Sequence, residues 1–202
     1  MTRRRIFVGL LGVAATAVYS AVWRPWQLTW GATPDEVARS LPGDDLVPVP
    51  TFNATRAISI AVPPEQVWPW LVQVGVGRGG WYSYDLLDNL GRNSARRILP
   101  EWQRLAPGGV VPMSPDGKHG IEVYSMDRPH TMIWGTPGDT TWVWQLDEQS
   151  DSTTRVLTRI RSRIRWTPMS IAFAGLLELA DFWMIRKMLL GLRERAQNAR
   201  NP

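Results

Sequence analysis

The residues best suited to contact a ligand are concentrated between Val67 and Asp85, where three Trp, two Tyr, one Arg and one Asp stand beside four Gly. Large rings next to flexible backbone and a few polar groups are typical of a pocket wall. The glycines from Gly75 to Gly80 are not a phosphate-binding loop, because no Lys-Ser or Lys-Thr pair follows them and the predicted helix precedes them. The stretch therefore indicates a pocket beside a structural turn.

Nine side chains are predicted to form the wall of a hydrophobic ligand site, with Gln73 and Arg78 orienting the polar end of the ligand. They are Trp70, Gln73, Arg78, Tyr82, Tyr84, Trp134, Trp142, Trp144 and Asp181. Trp142 and Trp144 lie two apart and so share one face of a predicted strand, and Trp134 falls on its predicted neighbour. Ordinary core packing is the alternative role for these rings.

Two of the charged candidates also have a structural alternative. Arg78 would either bind the acidic group of a ligand or pair with Asp85. Asp181 would either face the ligand or form a satisfied pair with Arg186 on the same helix. The spacing of these residues leaves both alternatives open.

Acid–base catalysis, in an enzyme, would fall to Tyr84, Asp85 or Glu122. A buried Glu122 would suit proton transfer, whereas an exposed one would have no catalytic meaning. The chain has no Cys and two His, both next to predicted turns, and it has no nucleophile elbow. We therefore predict no metal site and no cofactor, and the sequence leaves catalysis undecided.

The basic residues indicate a targeting signal and not a nucleic-acid surface. Four of the 23 Lys and Arg lie within the first 24 residues, and the rest nearly balance the 18 Asp and Glu. Arg3 to Arg5 precede Ile6 to Trp23, whose eighteen residues carry no charge, and a membrane-spanning helix needs roughly 17–25. We predict an uncleaved anchor over residues 1–24 with the rest of the chain extracytoplasmic. The alternative is secretion after cleavage at Ala15-Thr16-Ala17.

The remaining chain divides into a linker over residues 25–54 and a domain over residues 55–200. In the linker, Thr33 is predicted to cap a short helix that ends near Leu41. The domain is predicted to contain the strand Arg56–Val62, the helix Pro63–Val74, the short helical segment Asp85–Leu90, the strands Ile121–Met126, Thr131–Gly135, Thr141–Asp147 and Thr153–Trp166, and the long helix Ile171–Gln197.

The last predicted strand has two contrasting faces. Val156, Thr158 and Ile160 share one face, whereas the other face carries Arg155, Arg159, Arg161, Arg163 and Arg165. We expect the first face to be buried and the arginine face to be solvated. Contact with anionic lipid headgroups is the alternative role for the arginines.

This order of elements resembles the helix-grip fold of the SRPBCC superfamily, which includes START, birch-allergen and polyketide cyclase/dehydrase-like domains. The chain also resembles one bacterial subgroup of this superfamily in several motifs. These motifs are Pro64–Gln73, Gly77–Asp85, Pro100–Gln103 and Phe182–Ala196, with Arg24-Pro25-Trp26 and Trp30–Thr33 upstream. The resemblance implies an α+β fold. A curved antiparallel sheet would wrap around the long C-terminal helix, with two short helices after the first strand and the N-terminal hydrophobic helix ahead of it.

The resemblance also implies a function. Domains of this superfamily hold lipids, sterols, polyketides or other hydrophobic molecules in a mostly apolar cavity, and some branches catalyse reactions. The leading hypothesis is therefore a membrane-tethered module that binds a hydrophobic small molecule or lipid. The alternatives are a cyclase- or dehydratase-type enzyme acting on a polyketide-like substrate, and a structural or interaction protein whose Trp-rich interior is full. An open cavity separates the first two hypotheses from the third.

Overall fold

The computed structural model describes residues 17–149, 152–163 and 168–199, without the side chains of residues 168–177. Most of the predicted anchor and the end of the last predicted strand lie outside these ranges. The described helices are α1 (Arg24–Leu28), α2 (Pro34–Ala38), α3 (Pro64–Val72), α4 (Asp85–Asp88) and α5 (Pro168–Asn198). The strands are β1 (Phe52–Ile60), β2 (Val110–Pro112), β3 (Gly120–Asp127), β4 (Thr131–Thr136), β5 (Thr140–Glu148) and β6 (Thr154–Ser162).

The six strands form one antiparallel sheet in the order β1-β6-β5-β4-β3-β2. Strands β2 to β6 pair with their neighbours in the sequence, and β1 closes the far edge against β6. With the long helix α5 after the last strand, this is the predicted α+β helix-grip fold. The sequence pattern does not predict β2, because three residues are too few to show a period of two.

The inner face of the sheet carries the main core. Ladder pairing places Trp134 opposite Trp142, and Trp144 opposite Thr158, on this face. The side chains that α5 adds to the same core are Ile185, Met188, Leu189, Leu192 and Ala196. These residues recur at helical spacing, so one stripe of α5 covers the face while its other side meets solvent.

The outer face is covered by residues 29–48, and the prediction of a solvated arginine face is therefore wrong for Arg159. This guanidinium is 2% exposed. It donates to the side chains of Thr55 and Asp44, the latter at 2.5 Å, and to the carbonyls of Arg39, Glu36 and Val37. The alternation along β6 identifies the face, but the cover comes from a segment more than a hundred residues earlier in the chain.

One polar contact, between Glu36 and Arg155, and one apolar contact hold this cover against the sheet. Thr33 caps α2 as predicted, in a capping box with Glu36, although α2 ends at Ala38 and not near Leu41. The Glu36 carboxylate accepts a hydrogen bond from Arg155 at 2.7 Å. Beyond α2, a small second core joins Leu41 and Leu46 of the cover to Ile133 and Val143 of the sheet.

The described start of the chain is helical. Ala17 and Val18 lead into a π-helical turn, Tyr19–Trp23, which continues directly into α1. Val18 and Val22 are 62% and 65% exposed. Within the described ranges no helix is both long and apolar enough to cross a membrane.

Replacing the buried guanidinium is expected to destabilise the fold. Arg159→Met keeps an unbranched apolar stem but removes the donor to three carbonyls and the buried partner of the Asp44 carboxylate, which retains the Leu41 amide. We expect a loss of about 3–5 kcal/mol in the free energy of unfolding, measured by urea titration of the Trp fluorescence. The exposed Arg163, which follows the last residue of β6, is the control, and Arg163→Met should change stability by less than about 0.5 kcal/mol. Equal losses in both variants would contradict this role for Arg159.

Candidate functional site

A pocket of about 220 Å³ lies between the inner face of the sheet, the α4 region and α5. Its apolar lining is Trp81, Leu87, Met113, Trp142, Met184, Ile185 and Met188, and its polar lining is Ser83, Asp88 and Asp181. Leu87 and Met113 are 69% and 51% exposed, so the pocket opens to the surface between them and the helix. A concave, mostly apolar site with a few polar groups is the usual form of a small-molecule site.

Indole rings form the wall on the sheet side. The rings of Trp81 and Trp142 are almost parallel, at 6° and with centroids 6.0 Å apart. Trp134 meets both edge-on, and Trp144 packs 5.2 Å from Trp142. The Trp142 Nε1 donates to the Thr158 hydroxyl at 2.6 Å, which fixes the orientation of that ring.

Asp88 is the first of two carboxylates in the pocket. Its side chain is buried, and its Oδ2 accepts a hydrogen bond from the Tyr84 amide at 3.1 Å. Its Oδ1 is buried without a hydrogen-bond partner among the described residues. Burial raises the pKa of Asp88, the nearby Ser83 hydroxyl and the Tyr84 amide oppose this effect, and the Asp85 carboxylate adds to it.

Asp181 on α5 is the second carboxylate, and its partner is on the sheet. Arg56 of β1 is 1% exposed and donates from Nη1 to the Asp181 Oδ2 at 2.8 Å. Arg186, the predicted partner, instead lies over the Trp30 ring with its Cζ 5.1 Å from the centroid. Burial raises the pKa of Asp181 more than the Arg56 contact lowers it, and the Glu178 carboxylate adds to the increase.

The glycine turn delivers the other pocket residues. Gly75 and Gly80 exchange two backbone hydrogen bonds, of 3.2 Å and 3.1 Å, which close the turn. Gly80 has a φ of +79°, and a Cβ there would lie 2.5 Å from the Ser94 hydroxyl. The chain that leaves the turn places Trp81 and Ser83 in the pocket, whereas the predicted wall residue Tyr82 between them is buried in the core.

Asp85 secures the chain just beyond that turn. Its Oδ1 accepts hydrogen bonds from Ser94 at 2.6 Å and Asn89 at 2.7 Å. Burial alone would raise the pKa of Asp85, but these hydrogen bonds together with the Arg195 charge lower it. Asp85 is therefore a structural acceptor and does not pair with Arg78.

The structure brings only part of the predicted wall into the pocket. Of the nine residues, Trp142 and Asp181 line it. Four others are buried in the surrounding core, namely Trp70, Tyr82, Trp134 and Trp144. Tyr84 is 41% exposed. The aromatic residues therefore form one cluster, most of which fills the interior.

Gln73 and Arg78 lie elsewhere and bind backbone. Gln73 donates to the Arg97 carbonyl and accepts from the Leu99 amide, so it holds the loop before residue 100. Arg78 donates to the carbonyls of Val72 and Trp102, at 2.7 Å and 3.3 Å, and stacks over the Trp102 ring. Neither residue lines the pocket.

The predicted acid–base candidates also lie outside the pocket lining. Tyr84 and Glu122 are exposed, and Asp85 is held by its hydrogen bonds.

The pocket residues that the sequence analysis did not identify include Asp88 and three on α5, namely Met184, Ile185 and Met188. The α5 residues follow Asp181 by three, four and seven positions, and this helical spacing was the available signal. Among the described residues, no three His, Asp or Glu side chains are grouped closely enough to hold a metal ion.

Comparison with known proteins finds distant structural similarity and no match in sequence. No protein-family model matches the chain, and neither does any curated protein. A solved Polyketide_cyc-like protein from Corynebacterium glutamicum aligns at 14% identity over 74% of this chain and 93% of its own, with a TM-score of 0.46. A Bacillus halodurans protein aligns at 14% identity over 73% and 98%, with a TM-score of 0.46. An HSP90 activator from Plasmodium falciparum aligns at 14% identity over 68% and 94%, with a TM-score of 0.41.

At these low identities and scores, the fold assignment comes from the strand order and helix of the chain itself. An antiparallel sheet whose last strand leads into a long helix across its inner face is the helix-grip fold. The site is an apolar pocket beneath that helix with two carboxylates in its lining.

Helix α5 approaches the backbone of Tyr82 closely, next to the pocket residues Trp81 and Ser83. A Cβ on Gly191 would lie 2.2 Å from the Tyr82 carbonyl oxygen, so only glycine fits without a backbone shift. Tyr82 itself has a φ of +57° and donates from its hydroxyl to the Trp70 carbonyl at 2.8 Å. The helix and the turn are therefore in direct backbone contact here.

We expect Gly191→Ala to destabilise the protein, although alanine normally favours a helix over glycine by about 1 kcal/mol. The clash with the Tyr82 carbonyl should cost about 1–3 kcal/mol of unfolding free energy. Ala180 on the same helix is exposed and serves as the reciprocal control. Ala180→Gly should lose about 1 kcal/mol. A stabilised Gly191→Ala variant in thermal or urea unfolding would contradict the close approach.

Proposed function

We propose that the protein binds a small hydrophobic molecule, or one end of a lipid, in the pocket between the sheet and α5. The observation that carries the proposal is the open pocket itself, with its wall of indole and methionine side chains. Methionine adapts to irregular apolar ligands, and parallel indoles offer flat apolar surface. The polar lining would orient the polar end of the ligand.

The volume limits the size of the ligand. An apolar cavity of about 150 Å³ binds benzene, and pockets for drug-sized molecules start at about 300 Å³. At about 220 Å³, the pocket suits one ring with a short substituent, or a similar length of alkyl chain. A whole phospholipid would have to leave most of its bulk outside, past Leu87.

The proposal includes a membrane tether formed by residues 1–24, with the domain on the extracytoplasmic side. The uncharged run from Ile6 to Trp23 and the arginines before it support the tether. Trp23 and Trp26, which follow the run, are 38% and 45% exposed, as suits rings at a membrane–water interface. Secretion after signal cleavage is the alternative outcome.

A second candidate function is proton-transfer catalysis of the cyclase or dehydratase type. The observation that favours it is the pair of pocket carboxylates, Asp88 and Asp181, whose pKa values are both raised by burial. Asp88 would then be the acid–base group in place of the three candidates predicted from the sequence. Conversion of a bound hydrophobic molecule, followed by mass spectrometry and lost in Asp88→Asn, would favour this function over binding alone.

Filling the pocket is expected to abolish binding without unfolding the protein. Native mass spectrometry of the full chain, purified in detergent from its own host, should show a hydrophobic molecule at near one-to-one stoichiometry. Met184 lines the pocket and is half-buried, so Met184→Trp should lose most of this adduct by occupying its space. Lys187→Trp places the same ring on the exposed side of α5 and should retain the adduct. A bare protein mass in the unmodified chain, with no thermal shift across hydrophobic probes, would favour the filled-interior alternative.

The tether is tested by fractionation of the host cells. We expect the full chain to sediment with membranes, to resist extraction by carbonate at high pH, and to be released by detergent. Its intact mass should include the residues before Ala15. A smaller mass that corresponds to cleavage after Ala17, with the protein in the extracytoplasmic fraction without membranes, would overturn the tether and support secretion.

A further inference from the structure

The pocket combines aromatic walls with negative charge. Its charged lining residues are Asp88 and Asp181, and Ser83 is the remaining polar group. An apolar pocket with acidic groups in its lining does not suit every hydrophobic ligand equally. The arrangement therefore constrains the charge of the ligand.

The two carboxylates differ in their compensation. The Asp181 charge is balanced by the buried Arg56 guanidinium at 2.8 Å. Asp88 forms no ion pair within the described residues, and its Oδ1 is buried without a hydrogen bond. A buried carboxylate oxygen without a partner is costly, so a ligand that supplies a donor there would relieve that cost.

The surrounding rings favour the same kind of ligand. Trp81 and Trp142 both line the pocket, in a nearly parallel arrangement. The face of an indole ring carries negative potential and attracts cations, more strongly than the other aromatic side chains. A cation would thus be attracted both by the rings and by the free carboxylate oxygen, whereas an anion would be repelled by both.

We propose that the ligand class is a small hydrophobic amine, bound as its cation, with the ammonium group at Asp88 and the apolar part against Trp81 and Trp142. This proposal rests on the proposed function of the pocket as a hydrophobic binding site and names the charge of its ligand. The pocket volume of about 220 Å³ suits an amine with one ring and a short chain. Hydrophobic anions such as fatty acids are disfavoured.

Three probes of one skeleton test the charge preference on the full chain in a neutral detergent. They are 3-phenylpropylamine, 3-phenylpropan-1-ol and 3-phenylpropanoate, titrated at neutral pH by calorimetry. We expect the amine to bind at least about tenfold more tightly than the alcohol, because both can donate a hydrogen bond to Asp88 but only the ammonium adds an opposite charge. The anionic probe, 3-phenylpropanoate, should bind most weakly of the three.

The role of Asp88 is tested by Asp88→Asn, which keeps an acceptor for the Tyr84 amide but removes the charge. The variant should lose the preference and bind the amine and the alcohol with affinities that differ by less than about twofold. Asp35, an exposed acid on α2, gives the control variant Asp35→Asn, which should keep the full preference. If Asp88→Asn fails to fold, the comparison of the three probes on the unmodified chain still decides the ligand class.

The outcomes separate the two proposals. Equal affinity for amine and alcohol, or a preference that persists in a folded Asp88→Asn variant, would overturn the amine proposal and leave the hydrophobic site standing. If 3-phenylpropanoate binds most tightly of the three probes, the amine proposal likewise fails and the hydrophobic site stands. If none of the three probes binds, the proposed hydrophobic site fails, and the amine proposal fails with it.

Discussion

Close packing of large rings between the sheet and α5 is the constraint on which the site depends. A protein interior is filled almost as densely as a molecular crystal, so any gap is bounded by what fills the rest. Trp134 and Trp144 are fully buried and occupy the inner face of the sheet. Trp142 contacts both and also lines the pocket, so it marks the boundary between the filled interior and the open space. The pocket is the volume that these rings leave under α5.

A second constraint connects the start of the chain to the same site. Arg56 is buried on the inner face, and a buried guanidinium needs acceptors. It finds them in the Gln27 carbonyl at 2.9 Å and in Asp181 of the pocket. One turn earlier on α5, Glu178 accepts hydrogen bonds from Arg24 and from the Gln27 side chain. Helix α1 is therefore attached to the stretch of α5 that carries the pocket carboxylate.

The sequence predicts the elements better than their surroundings. Alternation along β6 and the apolar stripe of α5 are periodic, and periodicity arises from the backbone itself, so both were predicted to within a few residues in the described ranges. The burial of Arg159 was not predictable, because alternation assigns a residue to a face without showing what covers that face. The Arg56–Asp181 pair joins residues 125 positions apart. Asp88 belongs to a helix of four residues, too short to show a buried side.

The cover on the outer face of the sheet determines where this protein can be divided. Truncation just before β1 would spare all six strands, and by strand count the remainder would look complete. It would nevertheless remove every acceptor of Arg159 except Thr55, and it would uncover Ile133 and Val143 beside it. A cationic, apolar patch of this kind favours self-association over a monomeric state. The smallest autonomous unit therefore begins no later than Trp30, whose carbonyl accepts the Ala57 amide on the edge strand.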